Sequence, residues 1–102
     1  MDSFGDLIRI ARESKGLFLR QVAASVEIDQ AIISKFERGE RKPTKEQVEK
    51  FADFYEIDKK QLVTSWLSDK IAYSIIDEEN AEEALKVAEE KVKYLKTMQN
   101  GK

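Results

Sequence analysis

Side chains that can bind phosphate are concentrated in one short part of the sequence. Residues 34–45 contain two acidic side chains and five basic ones, which are Lys35, Arg38, Arg41, Lys42 and Lys45. Cationic side chains grouped in this way can hold the backbone of a nucleic acid. The whole chain has a net charge of −2, but charges farther away than about 8 Å are largely screened at physiological salt. A local phosphate-binding surface is therefore compatible with the acidic total.

Other kinds of site chemistry find little support in the composition. The chain contains no cysteine and no histidine, which removes disulfides, thiol catalysis and imidazole ligands or bases. Carboxylates cluster at 77–79, 82–83 and 89–90, but this spacing favours solvated helical faces with no other reactive group beside them. No glycine-rich loop of the phosphate-cradling type occurs. We therefore predict no enzyme, no metal site, no cofactor and no small-molecule ligand.

The sequence also predicts no membrane partner. No apolar run approaches the roughly 20 residues that a membrane-spanning helix needs. The first residues lack the basic start and apolar segment of a signal peptide. We expect a cytoplasmic protein.

Helical periodicity and capping residues predict five helices in residues 1–66. The first, about 3–15, has Ser3 as its N-cap and buries an apolar stripe with i, i+3, i+4 spacing. The second and third cover about 19–26 and 30–38, and Asp29 is placed to cap the third. Thr44 and Gln47 form a capping box that begins the fourth helix, and Asp58 caps the fifth.

The remaining residues predict a helical extension. The end of the fifth helix is left open, because "IAYSII" at 71–76 is rich in β-formers and is also compatible with a strand. An acidic run at 77–80 precedes the last helix, as suits a helix N-terminus. Apolar residues then recur at spacings of 4 and 3, which is a heptad pattern of two repeats. They are Ala81, Leu85, Ala88, Val92 and Leu95.

The second and third helices form a unit with a specific packing requirement. Two short helices joined by about three residues cross steeply, so a small residue is needed where their backbones approach. Ala23 meets this need, and Ile33, ten positions later, can fill the contact from the third helix. This is the packing of a helix-turn-helix, whose second helix enters the major groove of DNA.

Residues 4–66 resemble the Cro/C1-type (XRE) helix-turn-helix family found in lambdoid phage repressors and in controller proteins of restriction–modification systems. The segments that carry the resemblance are "FGDLIRIAR" (4–12), "KGL" (15–17), "QVAASV" (21–26), "IISKFERG" (32–39) and "EKFADFYEID" (49–58). The resemblance implies an all-α fold, a five-helix DNA-binding domain with an added C-terminal helix.

The resemblance also implies a role for individual residues. Arg12 and Glu37 match a buried structural ion pair. The base-reading positions of the third helix match Gln30, Ala31, Ser34 and Lys35. The loop that follows the phosphates matches Arg38, Arg41 and Lys42.

The sequence departs from the family pattern in two places. Phe18 and Leu19 stand where the family has polar residues that include a phosphate-binding glutamine, and neighbouring Arg20 is the candidate replacement. Glu27 stands at a turn position that favours glycine, where a left-handed backbone costs about 1–2 kcal/mol.

We expect residues 1–66 to bind double-stranded DNA and residues 67–102 to form a homodimer. A dimer reads two half-sites about 34 Å apart, so the expected function is a transcriptional regulator, and in particular a repressor, on a palindromic operator. The alternative is a protein-interaction module, antitoxin-like or anti-repressor, that binds a partner through its C-terminal helices. The expected dimer contacts are Ile71, Ile75, Leu85, Ala88, Val92 and Leu95.

Overall fold

A computed structural model of the protein describes residues 2–100. Within these residues the chain forms helices and no strands, which confirms the predicted all-α class. The helices are α1 (Phe4–Ser14), α2 (Leu19–Val26), α3 (Gln30–Glu37), α4 (Lys45–Tyr55), α5 (Lys59–Ile75) and α6 (Ala81–Asn100). The chain divides into a first compact unit that extends through Lys70 and a second that begins at Ile71.

Helices α1, α4 and α5 begin at the capping residues that the sequence predicts. The Ser3 hydroxyl accepts from the Asp6 amide at 3.1 Å, and the Thr44 hydroxyl accepts from the Gln47 amide at 3.2 Å. The Asp58 carboxylate accepts from the Gln61 amide at 3.0 Å. Hydrogen bonds from Ser3, its backbone amide above all, hold the pKa of the Asp6 carboxyl below its usual value. Each bond satisfies an amide that has no partner inside its helix.

The apolar core lies in the first unit and centres on an aromatic cluster. The ring of Phe51 is fully buried and lies 5.9 Å from Phe4, 6.2 Å from Phe36 and 6.2 Å from Tyr55, measured between centroids. These rings join α1, α3 and α4. Burying four large aromatic side chains supplies much of the stabilisation of so small a domain.

Gly5 allows α1 and α3 to approach closely. A Cβ atom added at Gly5 would lie 2.5 Å from the Phe36 carbonyl oxygen and 2.9 Å from that of Glu37. Both atoms are backbone, so they cannot move aside as a flexible side chain would. A glycine is therefore needed here for close packing.

Two long-range hydrogen bonds attach α5 to the rest of the first unit. The Trp66 indole is buried and donates to the Pro43 carbonyl at 3.0 Å. The Asp69 carboxylate accepts from the Phe4 amide at 2.9 Å. Trp66 is thus a core residue, and it also anchors the loop that precedes α4.

The second unit contains the end of α5 and the whole of α6. The β-rich segment 71–76 is helical through Ile75, so the strand alternative is wrong. A helix satisfies its own backbone hydrogen bonds, whereas a lone strand would have no neighbour to pair with. No residue of α6 is buried.

None of the helices within residues 2–100 combines the length and the apolar character needed to cross a membrane.

Candidate nucleic-acid interface

The turn between α2 and α3 gives the two helices their crossing geometry. Glu27 has a left-handed backbone with φ 57°, which costs a non-glycine residue about 1–3 kcal/mol. Ile28 is buried immediately after it. The Asp29 carboxylate then accepts from the Ala31 amide at 2.8 Å and caps α3. Burial of Ile28 and the cap together hold the start of α3 in place.

The inward face of this pair of helices is apolar. Val22 and Val26 of α2 and Ile33 and Phe36 of α3 are all buried, and Ala23 packs against the same core. Ala23 and the fully buried Ile33 thus both lie at this core, where the sequence predicts that the two helices cross. The opposite face of α3 is consequently directed towards solvent.

The predicted base-reading residues lie on that opposite face. Gln30, Ala31 and Lys35 are exposed, and Ser34 is half-buried. Their positions i, i+1, i+4 and i+5 form one stripe on a helix. The stripe offers an amide, a methyl group, a hydroxyl and an ammonium group, each of which can contact a base edge in the major groove.

Arg38 is held by neighbours of its own. Its guanidinium forms an ion pair with Glu40, with Nε 2.6 Å from Oε2, and also donates to the Ser34 hydroxyl. Both partners of the ion pair are exposed. The hydrogen bond raises the pKa of Arg38 and lowers that of the Glu40 carboxyl. Two candidate DNA contacts, Ser34 and Arg38, are therefore linked to each other and to an acidic side chain.

Arg41 and Lys42 lie in the loop between α3 and α4, and both are exposed. The next residue, Pro43, is buried and accepts the indole hydrogen bond of Trp66. Gly39, at the other end of the loop, has a left-handed backbone with φ 73°. The basic pair thus lies on a loop whose ends are held, which reduces the conformational entropy lost on binding.

Arg20 lies near the start of α2 beside an exposed aromatic ring. Its guanidinium carbon is 4.8 Å from the centroid of the Phe18 ring, within cation–π range. Phe18 supplies no side-chain cap, and its amide instead donates to the Gln21 side chain at 2.7 Å. Leu19 packs on the core, whereas the Phe18 ring is 60% exposed. The guanidinium of Arg20 is exposed to solvent with the ring beside it.

Arg12 of α1 and Glu37 at the end of α3 form an ion pair that connects the two helices. Arg12 Nε and Nη2 donate to the two Glu37 oxygens at 2.8 and 3.0 Å, and Nη1 donates to the Leu17 carbonyl at 3.0 Å. The side chains are 17% and 5% exposed. The hydrogen bonds to Glu37 raise the pKa of Arg12. Glu37 is occupied in this bidentate pair and faces away from the stripe.

The predicted dimer residues belong to the second unit. Leu85, Val92 and Leu95 are exposed, as are Ile71 and Ala88, and Ile75 is half-buried. An isolated chain leaves these apolar side chains in water.

Four features of this site were not predicted from the sequence. The Arg38–Glu40 pair is local, and its spacing of two residues could have suggested it. The close approach at Gly5, the Trp66–Pro43 bond and the Asp69 bond to Phe4 join distant segments, and no sequence pattern marks them.

Comparison with known proteins agrees with this geometry. A protein-family model described as a helix-turn-helix domain matches residues 3–63. The matched residues include α1 to α4 and the start of α5. Searches of curated proteins and of solved structures found no match. The match covers more than half of the chain and confirms the predicted resemblance, and the protein belongs to the helix-turn-helix domain family.

Proposed function

We propose that the chain is a sequence-specific DNA-binding protein that regulates transcription as a homodimer on a palindromic operator. One observation carries the proposal. α3 is fixed to the core through Ile33 and Phe36 and presents Gln30, Ala31 and Lys35 to solvent. A helix mounted in this way fits the major groove, which is about 12 Å wide.

The proposed readers have complementary chemistry. Gln30 can pair with adenine through two hydrogen bonds, Lys35 can donate to guanine, and Ala31 can contact the methyl group of thymine. The Ser34 hydroxyl can donate a hydrogen bond to a base or accept one from it. One good bidentate contact discriminates between bases by about 1–3 kcal/mol.

The proposed phosphate contacts are Arg20, Arg38, Arg41 and Lys42. All four side chains are exposed. Contacts to phosphates position a protein on the duplex without specifying sequence. We expect each of them to release about one counterion on binding.

A homodimer would give the protein its specificity. A single recognition helix reads only a few base pairs, whereas two helices related by a two-fold axis read half-sites about 34 Å apart. We place the dimer contacts in the second unit, at Ile71, Ile75, Leu85, Ala88, Val92 and Leu95. The bound dimer would act as a repressor by blocking polymerase at a nearby promoter.

Selection from a random pool of DNA duplexes tests the proposal. The expected result is an enriched palindrome with half-sites one helical turn apart. A parallel selection with the variant Gln30→Ala, Lys35→Ala should lose enrichment at the bases that these residues read. Failure to enrich any sequence would contradict the proposal. If a stoichiometric protein partner also copurified through the second unit, the alternative of a protein-interaction module would be supported.

A further inference from the structure

The charges of α6 are separated along its axis. Residues 81–90 contain four acidic side chains and one basic, a net charge of −3, and residues 91–100 contain three basic side chains and no acidic one, a net charge of +3. Each half is about 15 Å long. This exceeds the screening length of about 8 Å, so the two halves act as separate charges towards a neighbouring molecule.

Forces within a single helix account for only part of this pattern. The helix dipole favours Glu82 and Glu83 near the start of α6, but its influence falls off within the first and last turns. Glu89 and Lys93 form an ion pair in which the nitrogen and oxygen lie 3.3 Å apart. Glu90 and Lys91 lie at mid-helix, and no ion pair includes either of them in the described part of the chain.

The same helix carries an apolar seam with no cover. Leu85, Val92 and Leu95 are 43%, 51% and 55% exposed, and Ala88 between them is exposed as well. Positions a and d of a heptad pattern pack against a second helix in coiled coils. A partner for this seam must therefore be apolar along its centre and must match the charge separation at its edges.

We propose that α6 pairs with α6 of a second copy in an antiparallel orientation, with the two-fold axis level with Glu90. The inference rests on the proposed homodimer and adds the relative direction and the register of the two α6 helices. Leu85 then lies level with Leu95 of the second copy, and Ala88 lies level with Val92. The acidic half of each helix lies against the basic half of the other, and a second copy thus meets both requirements of the seam.

A parallel pair would oppose like charges. In that arrangement the −3 halves lie side by side, as do the +3 halves, and Lys91 meets Lys96 of the other copy across the edge of the seam. In the antiparallel pair Glu82 instead lies near Lys96 of the second copy. Near the axis Glu89 approaches its own copy, with Lys93 of the same helix paired to it, and Lys91 approaches its own copy on the other edge of the seam. The attraction between the copies therefore comes from the outer parts of the two helices.

Disulfide cross-linking of the full chain tests the direction, because the protein has no cysteine of its own. A Leu85→Cys variant is mixed with a mass-tagged Leu95→Cys variant and oxidised mildly. The antiparallel pair predicts mixed disulfide dimers in at least ten-fold excess over self-linked ones. Identical positions would lie about 15 Å apart along the axis, too far for a disulfide, whose Cα atoms are about 4.4–6.8 Å apart.

A matched control uses Glu83→Cys mixed with Thr97→Cys. In the antiparallel pair these two positions lie level with each other, as 85 and 95 do. They are on the outward face of the helix, however, so no cross-link is expected. Self-linking of Leu85→Cys would overturn the antiparallel direction. Dimers in sedimentation that give no mixed cross-link would overturn the α6 pairing and leave the proposed homodimer intact. An unaltered chain that stays monomeric would overturn both.

Salt dependence of the unaltered chain gives a second measurement that needs no variant. Without DNA, the dimer dissociation constant should rise several-fold between about 0.05 and 0.5 M sodium chloride, because salt screens the attraction between oppositely charged halves. Over this range the Debye length falls from about 14 Å to about 4 Å. A dissociation constant that falls with salt would indicate like halves together and would overturn the antiparallel pair.

Discussion

The four proposed base-reading side chains differ in how freely they can reach DNA. Gln30, Ala31 and Lys35 are exposed, whereas Ser34 is half-buried and accepts a hydrogen bond from Arg38. A contact from Ser34 to a base would therefore require Arg38 to move or to share its hydrogen bond. Lys35, which is exposed, therefore gives the clearest test of base reading.

Replacement of Lys35 by alanine should weaken operator binding and relax base preference at one position. Loss of a direct contact to guanine is expected to cost about 1–3 kcal/mol, or about 5- to 150-fold in affinity. Selection and titration with the variant would measure both effects. The control Lys59→Ala removes the same charge at the start of α5 and should leave the base profile unchanged. An unchanged profile for Lys35→Ala would remove that residue from the readers.

Replacement of Arg41 or Lys42 by alanine should have a different signature. Affinity should fall to a similar degree for all sequences, because phosphate contacts carry no sequence information. The slope of log affinity against log salt should decrease in magnitude by about one unit for each residue. Titrations at several salt concentrations would measure the slope. A slope equal to that of the unaltered protein would show that the side chain does not contact phosphate.

Glu40 should limit the affinity for DNA. Its carboxylate neutralises Arg38 in the free protein and lies beside the proposed phosphate contacts. Glu40→Gln should therefore tighten binding several-fold on every sequence and steepen the salt slope. A Glu46→Gln variant, which removes a charge from the first turn of α4, serves as the control. Weaker binding by Glu40→Gln would indicate that its pairing with Arg38 positions the arginine for DNA.

Among the helices, the Arg12–Glu37 pair links α1 to the end of α3. Three hydrogen bonds from one guanidinium reach Glu37 and Leu17, so the pair also fixes the loop before α2. We propose that the pair positions α3, because both side chains are largely buried and bonded to each other. The apolar periodicity and the caps of these helices could be predicted from the sequence. The burial of the Arg12–Glu37 pair, in contrast, depends on how the helices pack.

Replacement of Arg12 by alanine should lower the free energy of unfolding by about 3–5 kcal/mol, because a largely buried Glu37 would lose its partner. Urea unfolding would measure the change. Arg9→Ala is the matched control: its ion pairs with Asp6 and Glu13 are exposed, so the loss should be at most about 1 kcal/mol. Equal losses for the two variants would contradict a special role for the Arg12–Glu37 pair.

In the whole molecule, the residues proposed to bind DNA and those proposed to form the dimer lie in different units. The first contains the apolar core and the proposed DNA-binding residues, whereas the second exposes apolar side chains on α6. The proposed function as a repressor would require both units, because a dimer would bind two half-sites with much higher overall affinity than one domain binds one.

The double variant Leu85→Glu, Val92→Glu should be monomeric in sedimentation at concentrations where the unaltered chain is a dimer. Two buried charges per helix would make the seam unfavourable. The control Val87→Glu, Tyr94→Glu changes two exposed apolar residues of the same helix that lie off the seam. It should remain dimeric. A dimeric Leu85→Glu, Val92→Glu variant would place the interface elsewhere.

The helices of the first unit, most of their caps and the helix-turn-helix packing could be predicted from the sequence alone. Ser3, Thr44 and Asp58 mark helix starts because a cap depends on residues within four positions of it. The apolar periodicity that predicts the core face depends on equally local geometry. For the same reason the family resemblance could be recognised from short segments such as "IISKFERG".

Contacts between distant segments could be seen only in the folded structure. Gly5 faces the Phe36 carbonyl, Trp66 reaches Pro43, and Asp69 caps the Phe4 amide. Each contact joins residues more than 20 positions apart, so it depends on the final packing of several helices at once. The ambiguous segment 71–76 became helical for a related reason, because a strand requires a partner and a helix does not.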